Sequence, residues 1–415
     1  MTNEKRHGVS EWDMATWNMN RRRFLQRTAF TGMAVAFGGI AAACSSDSPS
    51  ESASTSGGGG SGETLNVYSW EGYHQEEWLD QLKADTGITL NVTNVGSPAE
   101  MFAKVKANPA QYDLILNTAG WFNQYVADDL LVPVDESRVP NAAKISDAFP
   151  WREATTVDGT NYGILYNWGD QPLGWSADDV PGSFDISQFV DDEGVPNDWN
   201  ILWDPQFEGL VSLFDDPTSV EPMIPLALGL PDPFNLDEAQ YAQFEDKLFA
   251  LRPQIRRLTS GFDDQTSQFV SGEAILGYLN NALSIVTADE AGKTLAANHL
   301  VKQGTPAWSD NYAITKESGA NKLDAIYTFM DYTLTLPWQA RFVAASGNNG
   351  VLDYDQATSA EAEDAGLTSK KLDVTLIPQT QSGEEFFSAM VFFQAVEDLE
   401  RRIETWNEFK LGISG

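Results

Sequence analysis

Basic residues, histidine and cysteine are all scarce in this 415-residue chain, and each scarcity closes a class of function. Lys and Arg total 26 against 60 Asp and Glu, a formal charge of -34. Such a chain repels polyanions and lacks the basic footprint that releases counterions, which argues against nucleic-acid binding. The same field draws cations. Because the acids run along the whole sequence, a surface adapted to high salt is favoured over ligand steering as the reading of this charge. The three histidines, His7, His74 and His299, have no partner motif, which argues against a histidine triad or a zinc site. One cysteine, Cys44, allows neither an intrachain disulfide nor a multi-cysteine metal centre. There is no Gly-rich phosphate-cradling loop, and no cofactor or metal is expected. What remains is 42% apolar and 11% aromatic, enough for a sizeable core and two lobes.

The first segment reads as an address. NRRRFLQ at residues 20–26 precedes TAFTGMAVAFGGIAAAC, a charged stretch followed by an apolar one too short and small-sided to span a membrane. Arg21 and Arg22 with Phe24 and Leu25 resemble a twin-arginine export motif. Ala41-Ala42-Ala43-Cys44 resembles a lipobox with Ala41 where Leu is usual. Lipidation of Cys44 is expected, with ordinary cleavage after Ala43 as the alternative. Residues 45–63 are Ser- and Gly-rich, with no apolar anchor, and read as a flexible tether.

From Thr64 the pattern becomes periodic. TLNVYSW alternates as a strand; EEWLDQLKADTG is a helix ended by Gly87; ITLNVTNV is a second strand. Ser97-Pro98-Ala99-Glu100 carries an N-cap, a Pro at the first helical position and a returning Glu, and YDLILN is a buried strand. Strand–helix alternation with short connections predicts a parallel sheet, whose ligands sit at the strands' carboxyl ends. Trp70, Glu71, Tyr73, Asn117, Thr118 and Trp121 fall there.

The order and spacing of VYSWEGYHQEEWLDQLKADTG, MFAKVKANPAQYDLILNTAGW, YGILYNWGDQPLGWS, WDPQFEGLVSLFDDP, SGEAILGYLNN, WSDNYAITKESG and SGNNGVL resemble the spermidine/putrescine-binding proteins of ABC transporters. That resemblance implies an α/β, two-lobed, type II-like periplasmic-binding fold with two hinge crossings and an interlobe cleft. It divides the chain into a signal peptide (1–43), a lipidated Cys and linker (44–63), a first lobe (64–168 with 281–325) and a second (169–280 with 326–415). The crossings are expected at residues 163–176 and 274–281. Phe386, Phe387, Phe392 and Phe393 read as core.

A polyamine needs carboxylates for its ammonium ends and aromatic faces along its methylenes; each cation–π contact contributes roughly 0.5 to 2 kcal/mol. The resemblance puts Trp70, Tyr73, Thr118, Asp216, Trp308 and Asp310 at such positions, with Glu71, Trp121, Trp168, Asp170 and Asn280 as further candidates. Fewer acids match than is usual: Tyr278-Leu279-Asn280-Asn281 has no carboxylate, and Ser219 stands where a second acid is common. A monocationic or polar solute, such as a betaine-like cation, an amino compound or a sugar, is therefore the alternative. ABC permease and ATPase subunits are the implied partners, with a monomeric, exported, lipid-anchored subunit as the expected form. An enzyme is not expected: the adjacent acids Asp215 and Asp216 would point in different directions at a strand end, which suits a glycan hydrolase poorly.

Overall fold

In β1 (Thr64–Trp70) alternation sends Leu65 and Val67 into one core and Tyr68 into another on the opposite face. The computed structural model describes residues 62–146, 149–180, 182–280, 283–346, 348–352, 388–396 and 398–413. Cys44, the leader and the tether, along with Asn281, Phe386 and Phe387, lie outside the described residues.

Helix α1 (Glu76–Thr86) buries Trp78 and Leu82 and stops at Gly87, whose φ of 76° lets its N–H reach the Lys83 carbonyl. After β2 (Thr89–Val95), helix α2 (Pro98–Ala107) starts where the sequence signals it, with Ser97 Oγ accepting from Glu100 N at 3.2 Å. The Glu100 carboxylate reaches back one residue further than a capping box requires, to Gly96 N at 2.9 Å. The third strand, β3 (Leu114–Thr118), is buried throughout.

These strands pair in parallel, β1 between β2 and β3, as the alternation predicts. The sheet is nevertheless mixed. An 11-residue strand from the far end of the chain, Thr305–Thr315, runs antiparallel to β3 on one side and to Gly163–Asp170 on the other. In chain order, β4 is Leu131–Val132, β5 and β6 are the hairpin Thr156–Val157 and Thr160–Asn161, and β7 is Gly163–Asp170.

Two residues after β7 ends, β8 (Leu173–Ser176) opens a second sheet, so the chain passes from one sheet to the other at residues 171–172. The second sheet has the order β10-β9-β11-β8-β12, with β9 Val211–Phe214, β10 Ile255–Thr259, β11 Leu276–Tyr278 and β12 Leu295–Asn298. Here the expected boundaries need correction. Segment 274–281 is not the return: β11 pairs with β8 and β9 inside the second sheet. The chain returns only between β12 and β13 (Thr305–Thr315), through residues 299–304.

A second correction concerns the C-terminal part. Helices α10 (Leu323–Thr333) and α11 (Leu336–Ser346) belong with the first sheet: Ile326, Phe329, Met330, Trp338 and Phe342 share a core with Leu65, Leu116 and Tyr312. So does β14 (Met390–Phe392), parallel to β13. Of the C-terminal helices among the described residues, only α12 (Leu399–Leu411) packs on the second sheet, burying Trp406 and Phe409 with Tyr241 and Leu248. Each sheet thus has its own apolar core, and the chain passes between them at residues 171–172, 299–304 and 393–398. Phe393 is buried and Phe392 half-buried, as core residues.

Candidate functional site

The carboxyl ends of β1 and β3 meet the middle of β13, and a buried acid sits at the junction. Asp310 is paired with Thr118 across the β13–β3 ladder, so both side chains project to one face. Thr118 Oγ1 donates to Asp310 Oδ1 at 2.6 Å. From the turn after β1, Tyr73 Oη donates to Asp310 Oδ2, also at 2.6 Å. Gly72, at φ 83°, gives that turn the left-handed conformation that other residues resist. The half-buried Trp70 indole lies against Asp310 and donates to the Leu116 carbonyl at 3.2 Å.

Burial pushes the Asp310 carboxyl up to about 6, against the lowering effect of its Thr118 and Tyr73 donors. Burial, then the Asp310 charge, pushes the Tyr73 phenol well up, so it stays a donor. A carboxylate offers about four lone-pair positions. Two hydroxyls occupy one on each oxygen, leaving acceptor capacity for a cation. Trp308, two residues before Asp310 on the same face, is half-buried, and its ring lies so close over Gly169 that a Cβ there would overlap it. Among the described residues no group of His, Cys, Asp and Glu is arranged to hold a metal ion.

The profile of bacterial extracellular solute-binding proteins matches residues 77–365, more than half of the chain. The chain belongs to that family. A spermidine/putrescine-binding periplasmic protein of Escherichia coli is 28% identical over 270 residues, covering 63% of this chain and 71% of that one. Among solved structures, the TpPotD lipoprotein of Treponema pallidum superposes with a TM-score of 0.68 at 17% identity, over 84% of this chain and 100% of its own. A GABA receptor superposes with a TM-score of 0.62 at 18% identity, over 85% of this chain and 98% of its own. At these identities the structural likenesses establish the fold: two-lobed, α/β and periplasmic-binding. No described helix is long and apolar enough to cross a membrane.

Within this solute-binding fold the other sequence candidates disperse. Trp121 is buried in the core under α2, its ring 5.9 Å from Phe102. Trp168 is also core: fully buried, it donates to the Gly350 carbonyl at 3.1 Å and packs 5.3 Å from Phe149. Glu71 is exposed, while Asn280 is half-buried, its backbone N–H donating to Gln265 Oε1 at 2.7 Å. Asp216 stands at the end of β9 in the second sheet and caps the short helix Pro217–Val220. Its Oδ1 accepts from Thr218 N at 3.0 Å and Thr218 Oγ1 at 2.8 Å, and its Oδ2 from Ser219 Oγ at 2.8 Å. Burial still pushes this carboxyl up. Asp170, at the first crossing, is bonded to His299.

His74 behaves as a core residue: its Nδ1 lies 3.1 Å from Ser69 Oγ, and burial pushes the imidazole down to about 3. His299 does not, and its pairing with Asp170 was invisible to spacing because 129 residues separate them. Glu221, two residues beyond Ser219, does not stand in for the missing acid: it is buried 4.0 Å from the Arg402 guanidinium of α12. A cavity of about 550 Å³ is lined by Arg138, Tyr327, Asp331 and Tyr332 among others and includes none of the sequence candidates.

Proposed function

We propose that this chain is the extracytoplasmic, ligand-capturing subunit of an ABC importer, that it is not an enzyme, and that its ligand is a small cationic amine. A polyamine such as putrescine or spermidine is the leading ligand class. The observation that carries the reading is Asp310: a buried carboxylate, oriented by two hydroxyl donors and flanked by the half-buried Trp70 and Trp308. Burying an ammonium is costly unless a carboxylate meets it, and indole faces add roughly 0.5 to 2 kcal/mol each for the methylenes and charge. Thr118 and Tyr73 fix the carboxylate, so the ligand does not have to order it. Asp216, at the end of β9, is the candidate acid of the other lobe, and closure of the two lobes about residues 171–172 and 299–304 is the state that the permease and ATPase read. The spermidine/putrescine-binding relative supports the ligand class.

A monocationic amino compound is the second reading, favoured by one observation. Both oxygens of Asp216 are already committed to its helix cap, which leaves Asp310 as the acid with more spare capacity. In this proposal the chain is exported through its twin-arginine segment, is anchored by lipid on Cys44 and works as a monomer.

Titration calorimetry with putrescine, spermidine, 4-aminobutyrate, glycine betaine and glucose tests the assignment. Heat with putrescine or spermidine at micromolar or lower concentration is expected. Heat with the betaine or glucose and none with any amine would remove the amine reading. Mass spectrometry of the mature N-terminus tests the anchor, with a diacylated Cys44 expected and an unmodified end overturning it.

A further inference from the structure

Asn167 on β7 is fully buried, yet neither atom of its side-chain amide has a hydrogen-bond partner. Buried amides are paired in the great majority of cases, so an orphan of this kind marks a missing partner. Its position says which partner is missing. Between β7 and β13 the register runs from Asp310 opposite Asn167 to Asn311 opposite Leu165, so Tyr166 is an extra residue on β7. A bulge of this kind breaks the alternation and re-aims the side chains beside it. Tyr166 spends its hydroxyl structurally, donating to the Tyr73 carbonyl at 3.2 Å and accepting from Trp338 Nε1 at 3.1 Å. Asn167 is left opposite Asp310, so it and Thr118 flank the acid from the two strands on either side of β13. It also lies beside the Tyr73 hydroxyl.

We propose that Asn167 is a ligand-binding residue: its Oδ1 accepts an N–H from the ligand's ammonium next to the Asp310 carboxylate, while its Nδ2 turns to the Tyr73 hydroxyl oxygen. The inference rests on the amine reading and deepens it. An ammonium has three N–H donors, and one carboxylate satisfies them incompletely. A neutral acceptor completes the set without a second negative charge beside Asp310, which would raise its proton affinity further. Asn167 thereby helps to explain how a cleft with few acids takes an ammonium end, and it selects for ligands that carry N–H over quaternary cations that have none.

Asn167→Leu tests this, because it keeps the branched heavy-atom skeleton and removes both polar atoms. Putrescine affinity is measured by calorimetry and the melting temperature of the ligand-free protein by calorimetric scanning. A loss of about tenfold or more in affinity is expected, with a melting temperature equal to or above that of the wild type, since removing an unpaired buried amide costs nothing. A structural Asn would give the reverse, a lower melting temperature with affinity unchanged. If Asn167→Leu does not fold, Asn167→Ala carries the same expectation for affinity. Wild-type binding that either variant leaves within about twofold overturns the inference alone. No binding of putrescine, spermidine or 4-aminobutyrate by the wild type overturns the amine reading and the inference with it.

Discussion

His299 Nδ1 donates to Asp170 Oδ2 at 2.6 Å, and that bond joins two of the chain's passages between lobes, one just before β8 and the other just after β12. Asp170 is 6% exposed and the imidazole 35%, so the proton exchanges with solvent while the carboxylate stays held. Burial lowers the His299 proton affinity, but the Asp170 charge and hydrogen bond outweigh it, and the net shift is upward from 6.5. A folded-state value above the unfolded one means that the stabilisation is fully present below about pH 6.5 and is lost as pH rises through the folded value. Thermal melts should show the wild type losing stability relative to His299→Gln as pH rises above about 6.5. Parallel pH profiles for the two proteins would leave the pair without a role in the fold's stability.

Asp310 makes a prediction of opposite sign for binding. Its carboxyl is raised to about 6, so the ligand-free protein gains proton-linked stability as pH falls from about 6 towards 4. An ammonium favours the ionised form, so amine affinity should fall as pH drops below about 6, by up to tenfold per unit once Asp310 is protonated. Asp310→Asn should remove most affinity while keeping the fold, because the amide oxygen still accepts one of the two hydroxyls. Calorimetry across pH 5 to 8, on wild type and variant, reads both effects. An affinity that is flat with pH would take Asp310 out of the site.

The aromatic walls can be tested separately from the acid. Trp70→Ala removes an indole that is only half-buried, and a weakening of roughly 3- to 30-fold in amine affinity is expected from one lost cation–π face. Gly169→Ala acts on the other wall without touching it, by driving a Cβ into the Trp308 ring. Overpacking of this kind costs about 1 to 3 kcal/mol, and the displaced ring should carry the loss into affinity. If Gly169→Ala lowers the melting temperature and leaves affinity unchanged, Trp308 is packing and not a ligand wall.

Local signals made the first lobe legible. Gly87, Ser97 with Pro98, and the alternation of Leu65 and Val67 each act within a few residues, and the structure follows them. The return crossing was illegible because β11 is three residues long and β12 four, too short for a period to show. Helices α10 and α11 have an apolar face that nothing local assigns to one sheet or the other. The same limit governed the candidate site. A Trp at a strand end is core or wall depending on which face it takes, which separates Trp168 from Trp70, and only register decides that. Asp310 matters because β13 pairs with β3 and β7 at once, residues separated by more than 100 positions in sequence. Asn167 depended on a bulge that has no signature in YNWG.

The acid excess makes the last prediction. With 60 acidic residues against 26 basic ones, like-charge pairs outnumber opposite ones, and the folded state concentrates them. Several described ion pairs, such as Lys104–Glu100 and Lys316–Asp129, are solvent-exposed and contribute little each, so salt costs little by screening them. Raising ionic strength from about 0.1 to 1 M shortens the screening length from about 10 to 3 Å, which removes repulsion across the surface faster than it removes close contacts. The melting temperature should therefore rise with KCl over this range. It should rise less in a variant with several exposed acids, such as Glu71, Asp192 and Asp263, changed to neutral amides. If the melting temperature falls with salt, the close ion pairs outweigh the repulsion and the acidic surface is not an adaptation to salt. In that case attraction of cations towards the cleft becomes the stronger reading of the charge.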